Sequence, residues 1–148
     1  MQNRKVLLGS GIAGVLSLDI LTKWLAQRYL LAPIEFLPFW RLEFTENSNL
    51  AFGIPFPRGL TVLLSIFAVI FLGNLFVKNV RKSSKIGVIA FALIFGGAIG
   101  NLGERILFGR VTDFVYLIGI PNFNLADAAL SAGVVLLIIF YSKIFVKN

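Results

Sequence analysis

The sequence predicts an all-α integral membrane protein of four transmembrane helices, both termini cytoplasmic, with a small extracytoplasmic β-cradle. Three observations predict it. The 148-residue chain is 57% hydrophobic and only 14% charged, with a mean hydropathy of +0.87, far from the soluble average. Four apolar windows, at 6–24, 60–77, 86–102 and 126–142, each approach the roughly 20 residues that cross a ~30 Å hydrocarbon core. Four buried helices of a soluble protein with this composition would lack the polar surface to cover them.

The third observation is where the charges fall. Arg4 and Lys5 precede the first window, Lys78, Arg81, Lys82 and Lys85 separate the second from the third, and Lys143 and Lys147 follow the core of the fourth. None of these segments holds an acid. The other two connections mix signs: Glu35, Arg41, Glu43, Glu46 and Arg58 in one, Glu104, Arg105, Arg110 and Asp113 in the other. The positive-inside rule then puts the basic segments in the cytoplasm and the mixed loops outside. A net charge of +7 therefore reports topology and anionic lipid, and excludes a nucleic-acid partner.

The elements follow in order. The first window has the charged flank of a signal peptide but no A-x-A-like cleavage site, and three more spans follow, so it is a retained helix. Asp19 lies 14 residues beyond Lys5, about 21 Å along at 1.5 Å per residue, in the outer third. Lys23, one turn later, shares its face. The outer loop, about 31–59, carries Trp40-Arg41-Leu42-Glu43-Phe44-Thr45, whose period-two alternation marks a strand with one wet face. Pro33, Pro38, Pro55 and Pro57 exclude a long helix there, and Asn47-Ser48-Asn49 reads as a turn. Gly96-Gly97-Ala98-Ile99-Gly100 gives the third helix a close-packing face. Asn101 and Arg105 share a face at its outer end. A short second outer segment, about 103–123, ends at Pro121-Asn122 before the fourth helix. The phenylalanines read as lipid-facing bulk, with Trp24, Tyr29 and Trp40 in an interfacial belt. No repeat or low-complexity stretch divides the chain, so 1–148 is a single membrane-embedded domain.

The chemistry is narrowed by what is missing. Without histidine or cysteine there is no thiolate nucleophile and no thiolate metal site, and neither metal nor cofactor is implied. Two of the three aspartates, Asp113 and Asp127, sit in apolar sequence beside the outer membrane boundary, where an ionisable group is costly and marks function by default. Brought together, two carboxylates share a proton and become an acid–base pair for hydrolysis. Structural alternatives stand beside this. Asn124-x-x-Asp127 has the form of a helix cap, Asp113 has Arg105 and Arg110 as salt-bridge partners, and Asp19 with Lys23 reads as a bracing ion pair.

The ordered motifs Asp19-Ile20-Leu21-Thr22-Lys23, Asn47-x-x-x-Ala51-Phe52, Gly96-Gly97-Ala98-Ile99-Gly100-Asn101-Leu102-x-x-Arg105, Val111-x-Asp113-Phe114 and Phe123-Asn124-Leu125-Ala126-Asp127 resemble the lipoprotein signal peptidase (signal peptidase II) family, the bacterial intramembrane aspartyl proteases. The resemblance covers nearly the whole chain. It implies cleavage of diacylglyceryl-modified prolipoproteins just before the lipidated cysteine, by a catalytic dyad of Asp113 and Asp127. Asn47, Asn101, Arg105 and Asn124 would position the substrate or the dyad, supported by Asp19 and Lys23. A monomer in the bacterial cytoplasmic membrane is expected, working on a lipid-modified substrate among membrane lipids at the outer face. Two positions depart from the family pattern, Asn49 at a usual glycine and Glu104 at a usual aspartate. The rival from another class is a small proton-coupled transporter or channel subunit with a carboxylate relay, which predicts acids near the midplane and a repeated half.

Overall fold

The computed structural model describes residues 2–48, 57–79 and 84–140. Four helices carry the chain: α1 (Gln2–Tyr29), α2 (Arg58–Asn79), α3 (Lys85–Phe108) and α4 (Leu125–Ile139). Three of them are long and apolar enough to cross a membrane, and α4 is a shorter apolar helix. Helix α1 exceeds its apolar window at both ends because its flanks, Arg4-Lys5 and Gln27-Arg28, are good helix formers that continue the turn into polar surroundings.

Helix α3 is the hub, packing against α1, α2 and α4. Of its most apolar 18-residue stretch 56% is buried, against 6% for the matching stretches of α1 and α2. The outer helices instead turn Ile20, Leu21, Leu63, Phe67, Phe71, Ile138 and Ile139 outward. Such a surface suits lipid as solvent. Close approach of α3 to α4 depends on Gly97, where a side-chain carbon would collide with the Ala126 carbonyl oxygen. Phenylalanine is not only lipid-facing, as expected from composition. Phe76, Phe91 and Phe95 form a buried cluster with Leu8, Ile12, Leu72 and Leu137 packed against it. The Phe76–Phe91 contact is edge-on at 4.8 Å, the geometry that ring quadrupoles favour.

On one end of the bundle lies a four-stranded antiparallel sheet: β1 (Ile34–Leu37), β2 (Trp40–Asn47), β3 (Val111–Leu117) and β4 (Ile120–Phe123), in that spatial order. Here the sequence reading needs correction. The strand seen in 40–45 is real and extends to Asn47, so Asn47 ends a strand, while the rest of the expected turn runs into residues outside those described. The second outer segment is no mere connection. Helix α3 runs past 102 to Phe108 and stops where Gly109 takes a left-handed φ of 76° and returns its N–H to the Arg105 carbonyl at 3.0 Å, a glycine C-cap. The chain then contributes β3 and β4. Pairing of Thr45 with Asp113 and Asn47 with Val111 brings the two outer segments together. Asn49, Ala51, Phe52, Pro55, Arg81, Lys82, Lys143 and Lys147, with the end of the fourth window, lie outside the described residues.

Candidate active site

Three asparagines bring the aspartates into one network. Asp113, on β3, is 1% exposed. Its Oδ1 accepts from Asn124 Nδ2 at 2.8 Å and its Oδ2 from Asn47 Nδ2 at 2.9 Å. Asp127, in the first turn of α4, accepts from Asn101 Nδ2 at 2.8 Å. Asn124 and Asn101 are themselves joined, Nδ2 to Oδ1, at 3.1 Å. The cap reading of Asp127 is also correct. Asn124 Oδ1 accepts the Asp127 backbone N–H at 2.9 Å while Asp127 Oδ2 accepts that of Asn124 at 3.3 Å, a reciprocal capping box. The cap fixes Asp127 against Asn124, which in turn holds Asp113. The expected salt bridges to Asp113 do not form, for Arg110 pairs with Glu46 at 2.9 Å.

Beneath the amides lies a buried charge cluster. Lys23 Nζ meets Asp19 Oδ2 at 2.8 Å, Glu104 Oε2 at 2.9 Å and Asn101 Oδ1 at 2.9 Å. Asp19 Oδ1 accepts the Ala126 N–H at 3.0 Å, the residue before Asp127. Glu104 accepts the Thr112 N–H at 3.0 Å and its hydroxyl at 2.9 Å, the residue before Asp113. Each aspartate of the pair is thus positioned through its chain neighbour. Sequence reasoning noted Glu104 only as a loop charge and a departure from the family pattern, and missed Thr112 and Gln27, whose Nε2 donates to Thr112 Oγ1 at 2.7 Å. The signal for Glu104 was its place one turn beyond Asn101, on a helix otherwise poor in charge.

A cleft of about 670 Å³ opens from this cluster. Asn47, Asn101, Arg105, Asp113 and Asp127 line its polar end, and Leu64, Ala68, Ala98 and Leu130 line the remainder between α2, α3 and α4. Arg105 Nε is buried without a hydrogen-bond partner among the described residues, leaving its guanidinium with donors to give a ligand. Burial pushes the Asp113 carboxyl up to about 6, with the Asp127 charge adding to the rise and the Asn47 and Asn124 hydrogen bonds and the Lys23 charge opposing it. Such a group exchanges a proton near neutral pH. Among the described residues no three His, Cys, Asp or Glu side chains converge as metal ligands.

Apolar helices around a cleft with two carboxylates at its polar end define a multi-pass membrane protein with a polar cluster at one end of its bundle. Known proteins narrow the class. The family profile described as Signal peptidase (SPase) II matches residues 12–143. The lipoprotein signal peptidase of Aquifex aeolicus (strain VF5) is 40% identical over 144 residues, covering 90% of this chain and 86% of that one. That of Sulfurihydrogenibium sp. (strain YO3AOP1) is 36% identical over 162 residues, covering 99% of both. Two solved structures, described as bacterial membrane enzymes determined by the in meso method at 2.3 and 1.9 Å, superpose with TM-scores of 0.78 and 0.77. Each is 27% identical and covers 97% of this chain, and this chain spans 89% and 94% of them. The chain belongs to the signal peptidase II family.

Proposed function

We propose that the protein is an aspartic endopeptidase that removes the signal peptide from diacylglyceryl-modified prolipoproteins, cutting just before the lipidated cysteine. Membership of the family makes it a membrane protease of lipoprotein processing. The aspartic mechanism rests on one observation above the rest: Asp113 and Asp127 line one cleft at the end of apolar helices and are joined through Asn101 and Asn124.

Asp113, the carboxyl whose affinity for protons burial raises, carries the proton and donates it in a hydrogen bond to the scissile carbonyl oxygen. Asp127, as carboxylate, takes a proton from water, and the water oxygen bonds to the carbonyl carbon. Collapse of the tetrahedral intermediate breaks the C–N bond. The proton held by Asp127 passes to the leaving nitrogen of the cysteine, and Asp113 recovers its own. Arg105 and the asparagines satisfy the extended peptide groups, which are costly to bury unpaired. Acyl chains and leader occupy the apolar part of the cleft. The reading includes a single domain acting as a monomer in the cytoplasmic membrane. It has four spans, both termini inside and the site facing outward.

Single substitutions test it in purified protein with a diacylglyceryl-modified precursor peptide. Asp113→Asn and Asp127→Asn each lower kcat by about 10²–10⁴-fold, the usual worth of a positioned acid or base. Retained cleavage in either variant removes the dyad. Equal cleavage of an unlipidated peptide removes the substrate assignment while leaving the dyad in place.

A further inference from the structure

Asn122, on β4, stands where two cavities meet. It lines the main cleft and also a smaller cavity of about 240 Å³ on the sheet side, the two sharing Asn47, Asp113, Pro121 and Asn122. Their linings differ in character. The cleft becomes apolar away from the junction, whereas the smaller cavity is completed by Thr45, Glu46 and Ser48.

The amide of Asn122 has a defined direction. Its Nδ2 donates to Glu43 Oε1 at 3.0 Å and to Thr45 Oγ1 at 3.2 Å. An ionised carboxylate only accepts, so the nitrogen must face Glu43 and the carbonyl Oδ1 must face away. Arg41 Nε, at 2.8 Å, holds the Glu43 carboxyl below its ordinary range and keeps it an acceptor. Thr45 is tied to the site by its own hydroxyl, which donates to the Asp113 carbonyl at 3.2 Å. Asn122 Oδ1 accepts no hydrogen bond among the described residues, although the side chain is half-buried. Arg41, Glu43 and Thr45 thus present one oriented, unused acceptor at the junction.

We propose that the polypeptide following the lipidated cysteine leaves the site through the smaller, polar cavity, and that Asn122 Oδ1 accepts one of its backbone N–H groups. The proposal rests on the peptidase reading above. Leader and acyl chains are apolar and belong to the cleft between helices, but the released chain is polar and needs an exit lined with hydrogen-bonding groups. An extended peptide presents N–H groups alternately to each side. One left unpaired beside a half-buried wall costs affinity. Strand β4 is an edge of the sheet, the place where extended peptides find partners.

The test uses the full-length purified protein and precursor peptides in which one backbone N–H at a time, beyond the lipidated cysteine, is replaced by an ester oxygen. One ester position raises KM about tenfold with kcat within about threefold, the worth of one lost hydrogen bond to substrate. Asn122→Leu raises KM for the all-amide peptide by a similar factor and abolishes the penalty of that ester. A brace for the sheet alone would not cancel a substrate change in this way. If no ester position raises KM in the unaltered enzyme, or if the penalty persists in Asn122→Leu, the proposal is overturned. Where Asn122→Leu fails to fold, Asn122→Ala, which removes the acceptor without adding bulk, is read in the same cycle, and persistence of the ester penalty there overturns the proposal equally. Failure of the unaltered protein to cleave the precursor at all is a separate result, removing the peptidase reading and this inference together.

Discussion

Asp113 is shut away from solvent, yet both of its oxygens accept amide hydrogen bonds, and these opposing influences leave its carboxyl at about 6. The sign of the resulting pH dependence follows. In the proposed mechanism the protonated form is the working acid, half present near pH 6 and falling toward tenfold per unit well above it. Because kcat/KM reports the groups of the free enzyme, it should break near pH 6 and decline as pH rises further. A profile that stays flat between about pH 5 and 8 removes Asp113 as the acid. This residue was legible in the sequence because a carboxylate in apolar surroundings is expensive and rarely idle. Asn122 carried no such signal: an amide before a helix is ordinary turn chemistry, and only the Glu43 carboxylate across the sheet gives it a direction. Lys23 with Asp19 was legible as a pair, but the other two partners of Lys23, Glu104 and Asn101, lie 81 and 78 positions away in the chain.

At the scale of elements, the start of α4 is placed by the glycine face of α3. A methyl group at Gly97 meets the Ala126 carbonyl and the Leu130 side chain, so α4 must shift, carrying Asp127 and its capping box with it. Gly97→Ala should cost about 1–3 kcal/mol of stability, the range for overpacking a close contact. It should also lower cleavage more than tenfold, since small misplacements of catalytic groups are expensive. Gly103→Ala is the control, because nothing lies near a side-chain carbon there and alanine is the better helix former. Equal Tm and activity for the two variants would show that the tight contact does not position the dyad. A helix lies at each of the four apolar windows because hydropathy is a local property, although α1 and α3 outrun their windows and α4 is shorter than a full span. The sheet was read only in part. In β2 the apolar Trp40 and Phe44, which are exposed, alternate with the less exposed polar Arg41, Glu43 and Thr45, giving a period of two, whereas β3 begins with Val111, Thr112 and Asp113 all buried. A strand covered on both faces shows no alternation, and its partner, β2, is more than sixty residues distant in sequence.

For the molecule as a whole, Lys23 is the point where α1, α3, β3 and α4 are tied together. Lys23 Nζ is shared between the carboxyls of Asp19 and Glu104, largely away from solvent. Lys23→Met leaves the buried Asp19 and the half-buried Glu104 without their shared counter-ion and should cost about 3–5 kcal/mol. Glu104→Gln leaves a neutral pair and should cost clearly less, so thermal unfolding in detergent that ranks them the other way refutes the charge account. Orientation in the membrane is the remaining property of the whole. The proposed topology places the sheet outside and the start of α3 in the cytoplasm, on the strength of basic segments that lack acids. The chain has no native cysteine, so a single introduced thiol reports its own side without background. Glu35, on β1, and Ile118, between β3 and β4, are exposed, as is Lys85 at the opposite end of α3. In intact cells a membrane-impermeant maleimide should label Glu35→Cys and Ile118→Cys but reach Lys85→Cys only after the membrane is broken. Asp113 and Asp127 adjoin the sheet, so the same labelling locates the chemistry. Labelling of Lys85→Cys from outside, with the sheet positions protected, would turn the molecule over and put the dyad on the face where a translocated prolipoprotein could not meet it.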